Sequence, residues 1–181
     1  MISFKSAVTV KLLQYFFLNL SAHHHVNELA RLLELDAGNL YRKLRELERE
    51  GLFVSETEGH QRYFCLNRKY PLFKELQKTM EIEHGLPEAI ISNLKRIKGI
   101  KEAYIFGSYA KKQLKSDSDI DILLIGSHSA IAAKRAILPL SKKFGREINV
   151  IDLTETEFKK KRQARDEFIG NIFKQEHLKL I

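Results

Sequence analysis

The chain has one cysteine, Cys65, among 181 residues. A single thiol excludes an intramolecular disulfide framework and a zinc site built from cysteines. Set between Phe64 and Leu66, it reads as a small core residue, and the compartment it implies is a reducing cytoplasm. Long apolar runs are also missing. The most hydrophobic stretch, VTVKLLQYFFLNL, is too short for a bilayer, is interrupted by Lys11 and Gln14, and has no small-residue cleavage site after it. It reads as a core helix, so no membrane partner is expected. There is no internal repeat and no low-complexity tract. Proline is scarce, and two of the three prolines fall in one stretch, NRKYPLFKELQKTMEIEHGLP. Such punctuation marks a connection between two units, with its own helix from about Leu72 to Glu83.

What is present suits one or two small domains: 44% hydrophobic residues can fill real cores. Lys and Arg number 31 against 23 Asp and Glu, a formal net charge of +8. That excess favours polyanionic partners, nucleic acid or nucleotides, and says nothing about fold. The triplet His23, His24 and His25 cannot share one helical face, and it reads as a surface loop ahead of a helix.

Residues 1–70 read as helix, helix, helix, hairpin. The first helix covers roughly Ser3 to Leu20. The second, VNELARLL, places Val26, Leu29, Ala30 and Leu33 on one face. In the third, NLYRKLRELEREG, Leu40, Leu44 and Leu47 recur at helical spacing and Gly51 suits the position just past the end. LFVSET, the turn EGH and QRYFCLN then alternate as a β-hairpin. In element order, turn position and hairpin, VNELARLLELDAGNLYRKLRELEREGLFVSETEGHQRYFCLN resembles the winged helix-turn-helix of bacterial and archaeal transcription regulators. With the leucines turned inward, Asn39, Tyr41, Arg42, Lys43 and Arg45 face outward, and Arg62 sits at the wing. Arg and Lys neutralise phosphates, and Arg and Asn make bidentate base contacts in a major groove, so double-stranded DNA is the expected partner. The alternative is a solvated charged face, for which Glu46, Glu48 and Glu50 speak.

Residues 71–85 are expected to form a helical linker, and residues 86–181 a second domain of interleaved strands and helices. Its helices read as LPEAIISNLKRI, a long one from about Ser129 broken or kinked by Pro139, TETEFKKK with a capping-box spacing from Thr154 to Glu157, and DEFIGNIFKQ. Its strands read as IKEAYIF, IDILLIG and EINVIDL. The informative segment is YIFGSYAKKQLKSDSDIDILLIG. Gly107 and Ser108 end a strand at a sharp turn whose backbone N–H groups and hydroxyl can hold phosphate oxygens. Asp119 and Asp121 follow, one residue apart in an extended segment and so on one face. Two carboxylates that close resist joint ionisation unless a cation sits with them, and Mg²⁺ (or Mn²⁺) accepts a few carboxylates plus substrate phosphates. The chemistry implied is phosphoryl or nucleotidyl transfer. The plain alternative is a turn followed by a loop of capping aspartates.

GSYAKKQLKSDSDID resembles the minimal nucleotidyltransferases of prokaryotes, within the polymerase-β-type superfamily, over roughly residues 86–153. The fold this implies for the whole chain is α+β: a winged helix followed by a small nucleotidyltransferase-fold domain with a mixed sheet and flanking helices. From the resemblance, Gly107 and Ser108 would bind the triphosphate, Lys111 would pair with phosphate as a point charge, and Asp119 and Asp121 would ligate metal. Asp117 falls in the variable spacer. The family pattern has glycine where this chain has Lys112. It also has a third carboxylate on a later strand, where this chain has Asn149, the residue standing in the third catalytic position. An amide oxygen can ligate a cation but carries no charge and takes no proton usefully. Asp152 would point to the opposite face, and Glu147 has the right parity but lies about 6.6 Å further along the strand.

Two functions follow. In the first, a Mg-NTP-dependent enzyme transfers a nucleoside monophosphate to a hydroxyl acceptor; the resemblance implies a partner protein, such as a toxin-like helical protein, or a small molecule. In the second, a DNA-binding regulator, expected as a homodimer, uses a degenerate transferase domain to sense nucleotide or to assemble.

Overall fold

The computed structural model describes residues 6–115 and 118–181. Ser116 and Asp117 lie outside the described residues, as does the start of the helix expected from Ser3. The chain divides into two units: residues up to Gly85 with Lys142–Gly145, and Leu86–Ser141 with Arg146–Ile181.

The first unit begins with α1 (Ala7–Leu18), capped by the Ser6 hydroxyl, and continues through the short strand β1 (His24–His25), α2 (Val26–Leu33) and α3 (Ala37–Arg49). A hairpin of β2 (Phe53–Glu58) and β3 (Gln61–Leu66) follows, then α4 (Phe73–His84). The three strands form an antiparallel sheet in the order β1-β3-β2. The leucine period of α3 does what it predicts: Leu40 and Leu44 are fully buried and Leu47 nearly so, against Leu12, Leu13, Phe16, Leu29 and Phe53. Asp36 caps α3 by accepting from the Asn39 N–H at 2.8 Å, and Gly51 follows its end at φ 85°, a conformation that favours glycine. Residues 71–85, expected as a helical linker, contain α4 (Phe73–His84). Phe73 and Met80 join this same core, Phe73 edge-on to Phe17.

Two expectations change here. The His triplet is structural: His24 and His25 pair with Phe64 and Tyr63 across the sheet. His24 Nε2 lies 2.7 Å from the Tyr15 hydroxyl, and His25 caps α2. Three neighbouring histidines do diverge, but each direction is occupied, His23 stacking on Tyr63 at 4.9 Å. Cys65 is not core. Strand alternation turns it away from buried Phe64 and Leu66, to a half-buried position on the opposite face. Burial first, and the charge of Glu56 second, raise its thiol above the usual value.

The second unit is built on a four-stranded sheet in the order β6-β5-β4-β7. After α5 (Leu86–Leu94) comes β4 (Ile100–Phe106), a single helical turn α6 (Gly107–Ala110), β5 (Ile120–Gly126), α7 (Ala130–Phe144) and β6 (Ile148–Leu153). Then α8 (Glu155–Gln163), α9 (Glu167–Lys174) and β7 (Leu178–Lys179) close the chain. β5 runs antiparallel to β4 and parallel to β6, and β7 is antiparallel to β4, so the sheet is mixed. On one face Leu123 and Ile125 pack with Phe158, Ile169 and Ile172 of α8 and α9. Thr154 and Glu157 form the expected capping box. Pro139 neither breaks nor ends α7, which runs through it. The proline is on the exposed side, where water can take the carbonyl it leaves unpaired. The terminal HLKLI contributes β7, an edge strand too short to show alternation. Among the described residues, no helix is long and apolar enough to cross a membrane.

Candidate functional site

The register of the mixed sheet builds the site. Asp121 is the second residue of β5, with Phe106 opposite it on β4 and Asn149 opposite it on β6. Asp119 lies just before the strand, exposed, and Asp121 is half-buried. The Asn149 amide nitrogen is 3.4 Å from Asp119 Oδ2 and 3.4 Å from Asp121 Oδ1. Two neighbouring acids and an amide some 30 residues later thus meet at one end of the sheet, on the face that further along carries Leu123 and Ile151 under α8 and α9.

Burial raises the Asp121 carboxyl above its ordinary range; the charge of Asp119 acts the same way, and the donor Asn149 pulls against both. A carboxylate pair held this close, with one member half-buried, gains from a cation. The donor set is oxygen-rich, suiting a hard divalent ion such as Mg²⁺ or Mn²⁺.

Gly107 shapes the other wall. It sits at φ 74°, and a Cβ added there would lie 2.5 Å from Asp121 Oδ2. Only glycine lets the chain turn this close to the carboxylate. The expected sharp turn is one turn of helix, with the Lys111 and Lys112 N–H groups bonded back to Gly107 and Tyr109. The Ser108 hydroxyl is 3.5 Å from the Asp119 carbonyl oxygen. Lys111 ends the turn, half-buried. Lys112 adopts φ 54°, the left-handed conformation for which glycine is usual. The tight loop therefore persists without glycine, at a strain of about 1–2 kcal/mol.

Asp152 does point away: on the opposite face it meets His128, Nε2 to Oδ1 2.9 Å, and the His128 side chain is 2% exposed. Glu147 precedes β6 and is exposed, its carbonyl accepting from the Ile120 N–H. Sequence reasoning missed Arg146. This buried arginine donates through Nη1 to the carbonyls of Lys115 and Ser118, the latter at 2.9 Å. It holds the approach to Asp119 from the start of β6. A lone arginine ahead of a strand signals nothing locally, because its partners lie 31 and 28 residues earlier.

On α3, Asn39, Tyr41 and Arg42 are exposed, while Lys43 and Arg45 are half-buried. Arg42 donates to the Asn39 side chain, Lys43 pairs with Glu46 at 2.6 Å, and Arg45 pairs with Glu48 at 2.8 Å. Arg62 also turns to Glu48.

Residues 88–174 match the family model of the nucleotidyltransferase domain. The match spans just under half of the chain and supports nucleotidyl transfer as the general class of function of that part. No curated protein matches the chain. Among solved structures, it is similar to a toxin-antitoxin crystal structure with AMP-PNP, at 20% identity and TM-score 0.40 over 53% of this chain and 73% of that one. It is also similar to a mutant of the toxin-antitoxin MntA-HpeT, at 18% identity and TM-score 0.38 over 52% and 71%. A third similarity is to a putative nucleotidyltransferase from Sulfolobus solfataricus, at 24% identity and TM-score 0.29 over 41% and 68%.

Proposed function

We propose that this chain binds a nucleoside triphosphate with Mg²⁺ (or Mn²⁺) beside Gly107 and transfers its nucleoside monophosphate to a hydroxyl acceptor. The observation that carries this reading is the convergence of Asp119, Asp121 and Gly107 at one corner of the sheet. Asp119 and Asp121 would hold the metal, which when bound stabilises the charge of an in-line displacement. The backbone of Gly107, the hydroxyl of Ser108 and the Lys111 ammonium would hold the phosphates. The acceptor oxygen bonds to the α-phosphorus, the α–β bridge breaks, and pyrophosphate leaves. Asn149 takes no proton, so the acceptor's proton passes to solvent.

Incubation with α-labelled ATP, Mg²⁺ and candidate acceptor proteins tests this. Label should appear on an acceptor with the parent chain and vanish with Asp119→Asn and with Asp121→Asn. Transfer that survives both removes the assignment. A partner protein as acceptor is what the resemblance to minimal nucleotidyltransferases implies.

A second reading concerns the first unit. Its element order and its β1-β3-β2 sheet support a winged helix that binds duplex DNA, as a homodimer on a palindrome, with the transferase domain sensing nucleotide or serving assembly. A neutral side chain at 149, in place of an acid, favours such a binding role. Asn39, Tyr41 and Arg42 would reach bases, and Lys43, Arg45 and Arg62 the phosphates. Arg42→Ala with Arg45→Ala should weaken a complex with upstream DNA and flatten its salt dependence. An unchanged gel shift takes both arginines off the DNA surface.

A further inference from the structure

We infer that Asn149 limits this corner to a single divalent cation, the one that arrives with the triphosphate; the inference rests on the nucleotide reading above. Its basis is the side-chain content of one sheet face. Along β5 and its approach that face presents Asp119, Asp121, Leu123 and Ile125. Along β6, in register, it presents Asn149, Ile151 and Leu153. Among the described residues, the other acids of this region are placed differently. Asp152 is on the opposite face with His128. Glu147 lies outside the strand. Glu102, four residues up β4 from Phe106, accepts from the Tyr104 hydroxyl.

An ion carried by the triphosphate takes several ligands from phosphate oxygens and needs only one or two carboxylates from protein. Asp119 and Asp121 suffice for it. A second ion would sit away from the outer phosphates and depend on protein oxygens. Among the described residues of β5 and β6, the remaining polar side chain on this face is Asn149, whose amide points its N–H donors, not its oxygen, at both carboxylates. In that orientation it is a donor to the two acids and no ligand. Presenting the oxygen would break both contacts and bring no charge. Asn149 is therefore a positioning residue: it holds the two carboxylates side by side and withholds the third acid that a second ion requires.

The test counts ions rather than turnover. The full chain is mixed with Mn²⁺ and, separately, with the α,β-methylene analogues of the four ribonucleoside triphosphates. Bound Mn²⁺ is read from loss of the free-ion electron paramagnetic resonance signal, and bound nucleotide by equilibrium dialysis. One ion per bound nucleotide is expected in the parent chain and in Asn149→Ala, and two in Asn149→Asp. Two ions per nucleotide in the parent, or one in a folded Asn149→Asp, overturns the inference and leaves the nucleotide reading standing. Loss of the ion in Asn149→Ala with nucleotide still bound also overturns it, since the amide would then be a ligand. If no analogue is retained by the parent, the nucleotide reading fails and the inference with it.

Discussion

Arg62 on β3 reaches across to Glu48 on α3, its Nη2 2.9 Å from Oε1, and its Nε donates to Ser55 on β2 at 2.7 Å. Arg45 meets the same carboxylate from its own helix. Glu48 thus gathers two arginines and a hydroxyl from three elements and ties the hairpin to α3. An acid that looks from sequence like one more charge on a solvated face is the knot of the unit's surface network.

Burial works to raise the Glu48 carboxyl, but the hydrogen bonds from Ser55 and Arg62, with the charges of Arg62 and Arg45, outweigh it and hold the group below its ordinary range. A lowered carboxyl contributes stability that is present above its unfolded value and lost as pH falls through the folded one. Glu48→Gln should therefore destabilise the chain by about 1–2 kcal/mol at neutral pH. Urea midpoints should converge with the parent as the solution is made acidic. A gap that stays constant with pH would mean that the charge of Glu48 is irrelevant.

Asp121 has the opposite sign. Its raised carboxyl, caused by burial first and Asp119 second, contributes stability that is fully present below the unfolded value and lost as pH rises through the folded one. Asp121→Asn is expected to melt higher than the parent at neutral pH and to lose that advantage in acid, while nucleotidyl transfer disappears. Equal or lower melting at neutral pH would show that the carboxylate is not under strain. A gain in stability on losing function is the mark of a site built for a ligand.

Gly107→Ala puts a methyl group where Asp121 Oδ2 now lies. The left-handed backbone adds strain of about 1–2 kcal/mol, and the carboxylate must move. Transfer should fall by about 10²-fold, the scale set by an ångström of misplacement. Thermal melting should show a folded protein. Full activity in this variant would remove Gly107 from the wall of the site.

His128→Ala addresses the other face of the sheet. The histidine is buried, with Asp152 as its partner at 2.9 Å, so truncation leaves a cavity and a carboxylate without its donor. A loss of about 2–3 kcal/mol in urea unfolding is expected, with nucleotide affinity retained because Asn149 faces the other way. Weakened nucleotide binding at unchanged stability would contradict that separation of faces.

Local signals were legible without the structure. The period of Leu40, Leu44 and Leu47, the capping box from Thr154 to Glu157 and the apolar runs of β4 and β5 each lie within a turn or a strand, where local spacing and composition carry the signal. The pairing of Asp119 with Asp121 is of this kind, since residues two apart in an extended chain must share a face. Pro139 does not break α7, because the cost of its missing N–H depends on exposure, which the residue itself does not carry. Cys65 misled because apolar neighbours in a strand point the other way.

What the sequence determined by itself was therefore the longer helices, the main strands and the pair of acids at a glycine turn. Tertiary structure decided what lies across from them: Asn149 opposite Asp121 on a parallel neighbour, Arg146 on the carbonyls of Lys115 and Ser118, β1 on β3, and β7 on β4. The reason is physical. Helix periodicity and capping are satisfied by neighbours in the chain, whereas a two-residue strand or a buried arginine finds its partners only when distant backbone hydrogen-bonding groups are brought together out of water.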